Sequence, residues 1–117
     1  MIRIENHLGL IEVEDGYFAG MIGSAVSECY GVAGLVNSTP VQGIRSLIAG
    51  KDVQDKGVRA RNVKGQLVID LYIAVSYGVN ISTIVGNIVD KVSYAVESSC
   101  GMQVAKVNVF VADVKLP

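Results

Sequence analysis

Few side chains in this sequence are of types that do chemistry, and their spacing is uninviting for catalysis. The one histidine, His7, sits in the N-terminal segment MIRIENH with no serine or cysteine motif to pair with, which is the setting of a surface residue and not of a general base. Cys29 and Cys100 fall in no CxxC or metal-ligand spacing. Each closes a predicted helix, where a free thiol behaves as a small buried hydrophobe. Asp70 and Tyr72 lie two apart on a predicted strand, but no second carboxylate stands in register to make an acid–base pair. Glycine loops of the GxGxxG or GxxxxGKS/T kind are missing, as is metal-ligand clustering. The expectation is a protein without catalytic, cofactor-binding or metal residues. Recognition remains: Arg59, Arg61, Asp70 and Tyr72 form the candidate interaction surface.

Charge bears on what such a surface meets. Residues 1–28 set Glu5, Glu12, Glu14, Asp15 and Glu28 against Arg3, a net −4. Residues 45–64 set Arg45, Lys51, Lys56, Arg59, Arg61 and Lys64 against Asp52 and Asp55, a net +4. Arg59 and Arg61 share a strand face because side chains alternate with period two. Three readings of the basic segment stay open: ordinary solvated charge, head-to-tail contact with another copy's acidic end, or an anionic lipid or RNA. A whole-chain net charge of −1 argues against nucleic acid as the main partner, since such binding rests on phosphate neutralisation.

The elements that must position these residues are legible from composition and period. Val and Ile supply 31 of 117 residues, a β-branched excess that favours strands. The length suits one domain, residues 1–117, and half the residues are hydrophobic, which excludes disorder. Residues 8–14 read as a strand, with Asp15 as the cap of a first helix carrying Phe18, Ile22, Ala25, Val26 and Cys29 at helical spacing. Gly31 stops it and residues 32–36 form a strand. Residues 37–57 are turn-rich and irregular, with a helical turn around 44–48.

Residues 58–63 and 66–77 make a hairpin about Lys64-Gly65. In its second strand Leu67, Ile69, Leu71, Ile73, Val75 and Tyr77 point to the core. Val68, Asp70, Tyr72 and Ala74 point to an open face, either wet or covered by a partner. Asn80 or Ser82 caps a second helix with the stripe Ile81, Ile84, Ile88, Val92, Ala95, Val96; Gly101 ends it and 103–114 is the last strand. The order β-α-β-β-β-α-β predicts an α+β two-layer sandwich with two helices on one face of a mixed sheet, containing two strand–helix–strand units. No long apolar run marks a signal peptide or membrane span, so the expected location is cytoplasmic.

Lys56-Gly57-Val58-x-Ala60, Val68-x-Asp70-Leu71-Tyr72-Ile73-x-Val75-x-Tyr77-Gly78-Val79-Asn80-Ile81 and Gly101-Met102-x-Val104-x-x-Val107-Asn108-Val109-x-Val111 together resemble the alkaline-shock-protein family of Gram-positive bacteria, which includes the Gls-type general stress proteins. Gly9-x-Ile11 and Tyr30-Gly31-Val32 also fit, so the resemblance spans the chain and is nearest the short, YloU-like members. Cys100 departs from a Thr usual in the family, and Ile88-Val89-Asp90 from an Ile-Gln-Glu. The resemblance implies a non-enzymatic, self-associating protein of the envelope stress response. It also implies membrane association through a related anchor protein, or a fatty-acid-kinase-like partner. The alternatives are a small RNA-binding domain, since open sheets of such sandwiches bind RNA, and a lipid-metabolism accessory domain associated with a fatty-acid kinase.

Overall fold

The computed structural model describes residues 1–36, 53–55 and 57–116. Among these, the elements in chain order are β1 (Ile2–Asn6), β2 (Gly9–Val13), α1 (Asp15–Ser27), β3 (Val32–Leu35), β4 (Val53–Asp55), β5 (Val58–Val63), β6 (Gln66–Ser76), α2 (Ile81–Cys100) and β7 (Val104–Lys115). The α+β two-layer arrangement and the mixed sheet are as expected. The sequence reading lacked β1 and β4.

The alternation in β6 makes it the centre of the sheet. Leu67, Ile69, Leu71 and Ile73 are fully buried, with Val75 beside them. One edge of β6 pairs antiparallel with two strands laid end to end: β5 along residues 66–71 and β3 along 73–75. The other edge pairs in parallel with β7, and β4 extends the sheet beyond β5. The handover from β5 to β3 falls at Tyr72, whose N–H donates to Gly57 O at 2.9 Å while its carbonyl accepts from Val36 N at 2.8 Å. Gly57 has φ +82°, and a Cβ there would lie 2.3 Å from the Val36 carbonyl oxygen. The junction therefore admits only glycine.

Both helices lie on the core face. Phe18, Ile22 and Val26 of α1 and Ile84, Ile88, Val92 and Val96 of α2 join the β6 stripe in one cluster. The start of α2 is fixed by Asn80, whose Oδ1 accepts from Thr83 N at 3.1 Å, and its end by Gly101 at φ +73°. The hairpin turn is also as read: Lys64 (φ +53°) and Gly65 (φ +85°) both adopt the left-handed region, as a type I′ turn requires.

Several expectations are corrected. Residues 8–14 are the second arm of a hairpin, β1–β2, which forms its own two-stranded sheet. The first strand–helix–strand unit is therefore not one sheet crossed by a helix, whereas β6–α2–β7 is. Asp15 is the first residue of α1 and not its cap; Glu14 occupies the cap without a side-chain bond, and the Asp15 carboxylate instead pairs with the Met1 ammonium. Cys29 lies beyond the end of α1, and Tyr77 beyond the end of β6, where it is 69% exposed instead of core. The helical turn expected around 44–48 lies outside the described residues.

Replacing Gly57 with Ala should cost about 2 kcal/mol or more, since the new methyl meets backbone and the φ is unfavourable. Replacing Gly86 with Ala, mid-α2 with nothing within 4 Å of the added carbon, should gain about 0.5–1 kcal/mol. Urea denaturation of the two variants checks both signs.

Candidate functional site

The four residues singled out in the sequence lie together on the sheet face opposite the helices. Two things place them there: the period of β5 and β6, and the register that sets Arg59 opposite Asp70 and Arg61 opposite Val68. The interactions run along the diagonals of this ladder. Arg59 Nη1 donates to the Tyr72 hydroxyl at 3.3 Å, with its guanidinium carbon 5.0 Å from the ring centroid. Arg61 Nη1 stands 3.8 Å from Asp70 Oδ2.

β7 contributes two residues that reading along one strand does not reveal. Phe110, opposite Tyr72, stacks on it at 4.9 Å between centroids and 17° between planes. Asn108, opposite Asp70, donates from Nδ2 to Asp70 Oδ1 at 2.9 Å. The spacing Val107-Asn108-Val109-Phe110 was the available signal, but using it requires knowing that β7 runs parallel to β6.

This face is less open than expected. Arg59 and Tyr72 are each only 8% exposed, and Val68 and Ala74 are also buried; Arg61 and Asp70 are half-buried and Phe110 is 45% exposed. Tyr72 is sandwiched between Phe110 and Arg59, so its ring is not presented for stacking on a base. Arg59 Nε and Nη2 lie buried without a hydrogen-bond partner among the described residues. These two N–H groups form one side of the planar guanidinium, so a complete bidentate edge is unused. Asp70 accepts from the Asn108 amide and faces the Arg61 guanidinium as a longer ion pair.

Both cysteines are free thiols. Cys29 is buried, with Sγ 3.7 Å from the Ala25 carbonyl. Burial pushes its thiol pKa up, with Glu28 adding to the rise and Lys91 opposing it; burial alone raises Cys100. Raised values keep the thiols protonated and weakly nucleophilic. His7 is exposed, at the turn of the β1–β2 hairpin. No group of His, Cys, Asp and Glu that could hold a metal ion occurs among the described residues. On the opposite side of the molecule a cleft of about 890 Å³ runs between α1 and α2, lined in part by Tyr17, Met21, Lys91 and Tyr94.

The pairing of Asp70 with Asn108 joins two of the stretches that carry the sequence resemblance. A family profile of cell envelope-related function, that of alkaline shock protein 23, matches residues 3–116. The chain belongs to this family. It is 32% identical over 115 residues to the uncharacterized protein YloU of Bacillus subtilis (strain 168), covering 98% of this chain and 96% of YloU. It is 30% identical to the uncharacterized protein Spy1614 of Streptococcus pyogenes serotype M6, again over 98% of this chain and covering 95% of that one. Among solved structures, two variants of MamM-CTD align over 89% and 86% of this chain, and over 99% and 94% of theirs, at 16% and 17% identity, with TM-scores of 0.48 and 0.46.

Replacing Arg59 with Met should raise stability by about 1 kcal/mol, because a buried guanidinium edge without a partner costs more than the bond to Tyr72 returns. A fall of that size in thermal or urea unfolding would instead show the charge to be satisfied. A second expectation concerns pH. A thiol pKa raised by folding leaves its stabilisation intact below the ordinary thiol range, and that stabilisation is lost as pH climbs through the raised value. Urea midpoints should therefore drop as the pH rises above the ordinary thiol value of about 8.5, and by less in a Cys29→Ala variant.

Proposed function

We propose that the chain is a non-enzymatic, self-associating structural protein of the cell-envelope stress response, working in the cytoplasm and reaching the membrane through a partner. The observation that carries this reading is membership, over nearly the whole chain, in a family of cell envelope-related function. The site chemistry supports it. Apart from the Nε–Nη2 edge of Arg59, the polar groups of the candidate face are engaged with one another, and the thiols are held in their less reactive form. The candidate residues then build a rigid recognition face, with Arg61 and Phe110 at its accessible rim over buried Arg59 and Tyr72. A related anchor protein and a fatty-acid-kinase-like protein are the partners that the family likeness suggests. No helix among the described residues is long and apolar enough to cross a membrane.

RNA binding loses its strongest sequence argument, because both faces of the Tyr72 ring are occupied within the chain. Sedimentation velocity from about 1 to 100 μM tests the reading, an expected association in that range corresponding to roughly −5.5 to −8 kcal/mol. The weight-average mass should rise with concentration. A strict monomer throughout, unchanged by salt, overturns self-association.

A further inference from the structure

The sheet ends on one side at β7, and β7 is an unusual strand to leave at an edge. It runs twelve residues, Val104–Lys115, and contains no proline. Its inner edge bonds to β6 in parallel, and no strand among the described residues pairs with its outer edge. Near its ends, Val104 N already donates to Glu97 Oε2 at 3.1 Å and Val114 N to Asp113 Oδ1 at 2.9 Å. This leaves the stretch around Val107, Val109 and Val111 as the row of backbone donors and acceptors that offers a template for another strand. The apolar side chains along it are partly uncovered as well: Phe110, Val111 and Val114 are exposed. We propose that this edge is the contact between copies of the chain, β7 pairing antiparallel with β7 of a second copy about a two-fold axis at Val109. This rests on the self-association proposed above and names its surface.

The facing of side chains and the charges select that register. Pairing with β6 shifts register twice, once between Val104 and Lys106 and once between Val111 and Asp113. As a result Val104, Val107, Val109, Val111 and Val114 point to the core side, while Lys106, Asn108, Phe110, Asp113 and Lys115 point to the outer side. With the axis at Val109, Asn108 meets Phe110 of the other copy, Val107 meets Val111, Lys106 meets Asp113 and Val104 meets Val114. Each partner points to the same side, because the extra residues Ala105 and Ala112 absorb the shifts. The two Lys106–Asp113 contacts are attractive, with Asp113 shared between Lys106 of the other copy and its own Lys115 at 3.3 Å. Moving the axis one residue to Phe110 sets Lys106 against Lys115 of the other copy, which is repulsive. Moving it to Asn108 sets Lys106 against Phe110. A two-fold axis closes the assembly at a dimer in which one sheet runs through both copies.

Charge reversal across the pair provides the test, as both residues are exposed and their replacement leaves the core intact. Lys106→Asp should weaken dimerisation in sedimentation about tenfold, since each dimer contains the pair twice. Asp113→Lys should act alike, and the two changes together should restore association to within about threefold. Val109→Cys in a Cys100→Ser background should form a disulfide between the two introduced thiols on mild oxidation, identified by peptide mass spectrometry. Association that ignores the charge changes and yields no such link overturns the β7 interface while self-association stands. A monomer at every concentration, for the unaltered chain, overturns both.

Discussion

Everything in this fold is arranged around satisfying β6. An interior strand must place each of its N–H and C=O groups in a bond, because a buried, unpaired peptide group costs about as much as a lost hydrogen bond. β6 is eleven residues long, and neither neighbour on its antiparallel edge is long enough to cover it alone. β5 and β3 divide the work, and the joint between them falls at one residue, Tyr72, with its donor given to Gly57 and its acceptor to Val36. The conformations of Gly57 and the hairpin turn, and the length of β3, follow from that division. So does the position of the candidate face, since the residue at the joint also carries the aromatic ring on which Arg59 and Phe110 converge.

What the sequence made legible was whatever has a short period. The five apolar residues Leu67, Ile69, Leu71, Ile73 and Val75 at spacing two, and Ile84, Ile88, Val92 and Val96 of the helical stripe, specify burial locally and hold in the structure, whereas Ile81, at the first position of that stripe, is exposed at the start of α2. Caps and turns with their own side-chain or backbone chemistry, such as Asn80, Gly101 and Lys64-Gly65, are equally local. The hairpin β1–β2 was only half seen because Asn6-His7-Leu8-Gly9 carries an ordinary leucine through the turn. What stabilises that turn is the side chain of Asn6 accepting from Leu8 N at 2.8 Å. Asp15 illustrates competition: a residue well suited to capping is drawn to the chain's own ammonium group, leaving Glu14 at the cap.

The candidate face shows where local reading stops. That Arg59 and Arg61 share a side follows from alternation, but their different fates do not. Diagonal contact across a twisted antiparallel pair brings Arg59 onto Tyr72 and Arg61 toward Asp70. Phe110 and Asn108 complete both contacts from nearly forty residues away in the chain. Only the parallel register of β7, set by the α2 crossover, supplies them.

The near-zero net charge also acquires a spatial meaning. The acidic start and the basic middle have the look of two poles, suited to stacking copies head to tail. Yet the acidic pole is largely neutralised at home: Glu12 is met by Arg3 at 3.0 Å, Glu28 by Lys91 at 3.2 Å, and Asp15 by the chain's own ammonium. In the basic segment, Arg61 leans to Asp70 and Arg59 is buried. Exposed pairs of this kind contribute little to stability, but they remove the field that would draw poles together over distance. The outer side of β7 also holds a pair of its own, Asp113 with Lys115 at 3.3 Å, but it adds Lys106 on a strand that has backbone bonds to offer, so a second copy aligned there gains a ladder together with charge contacts.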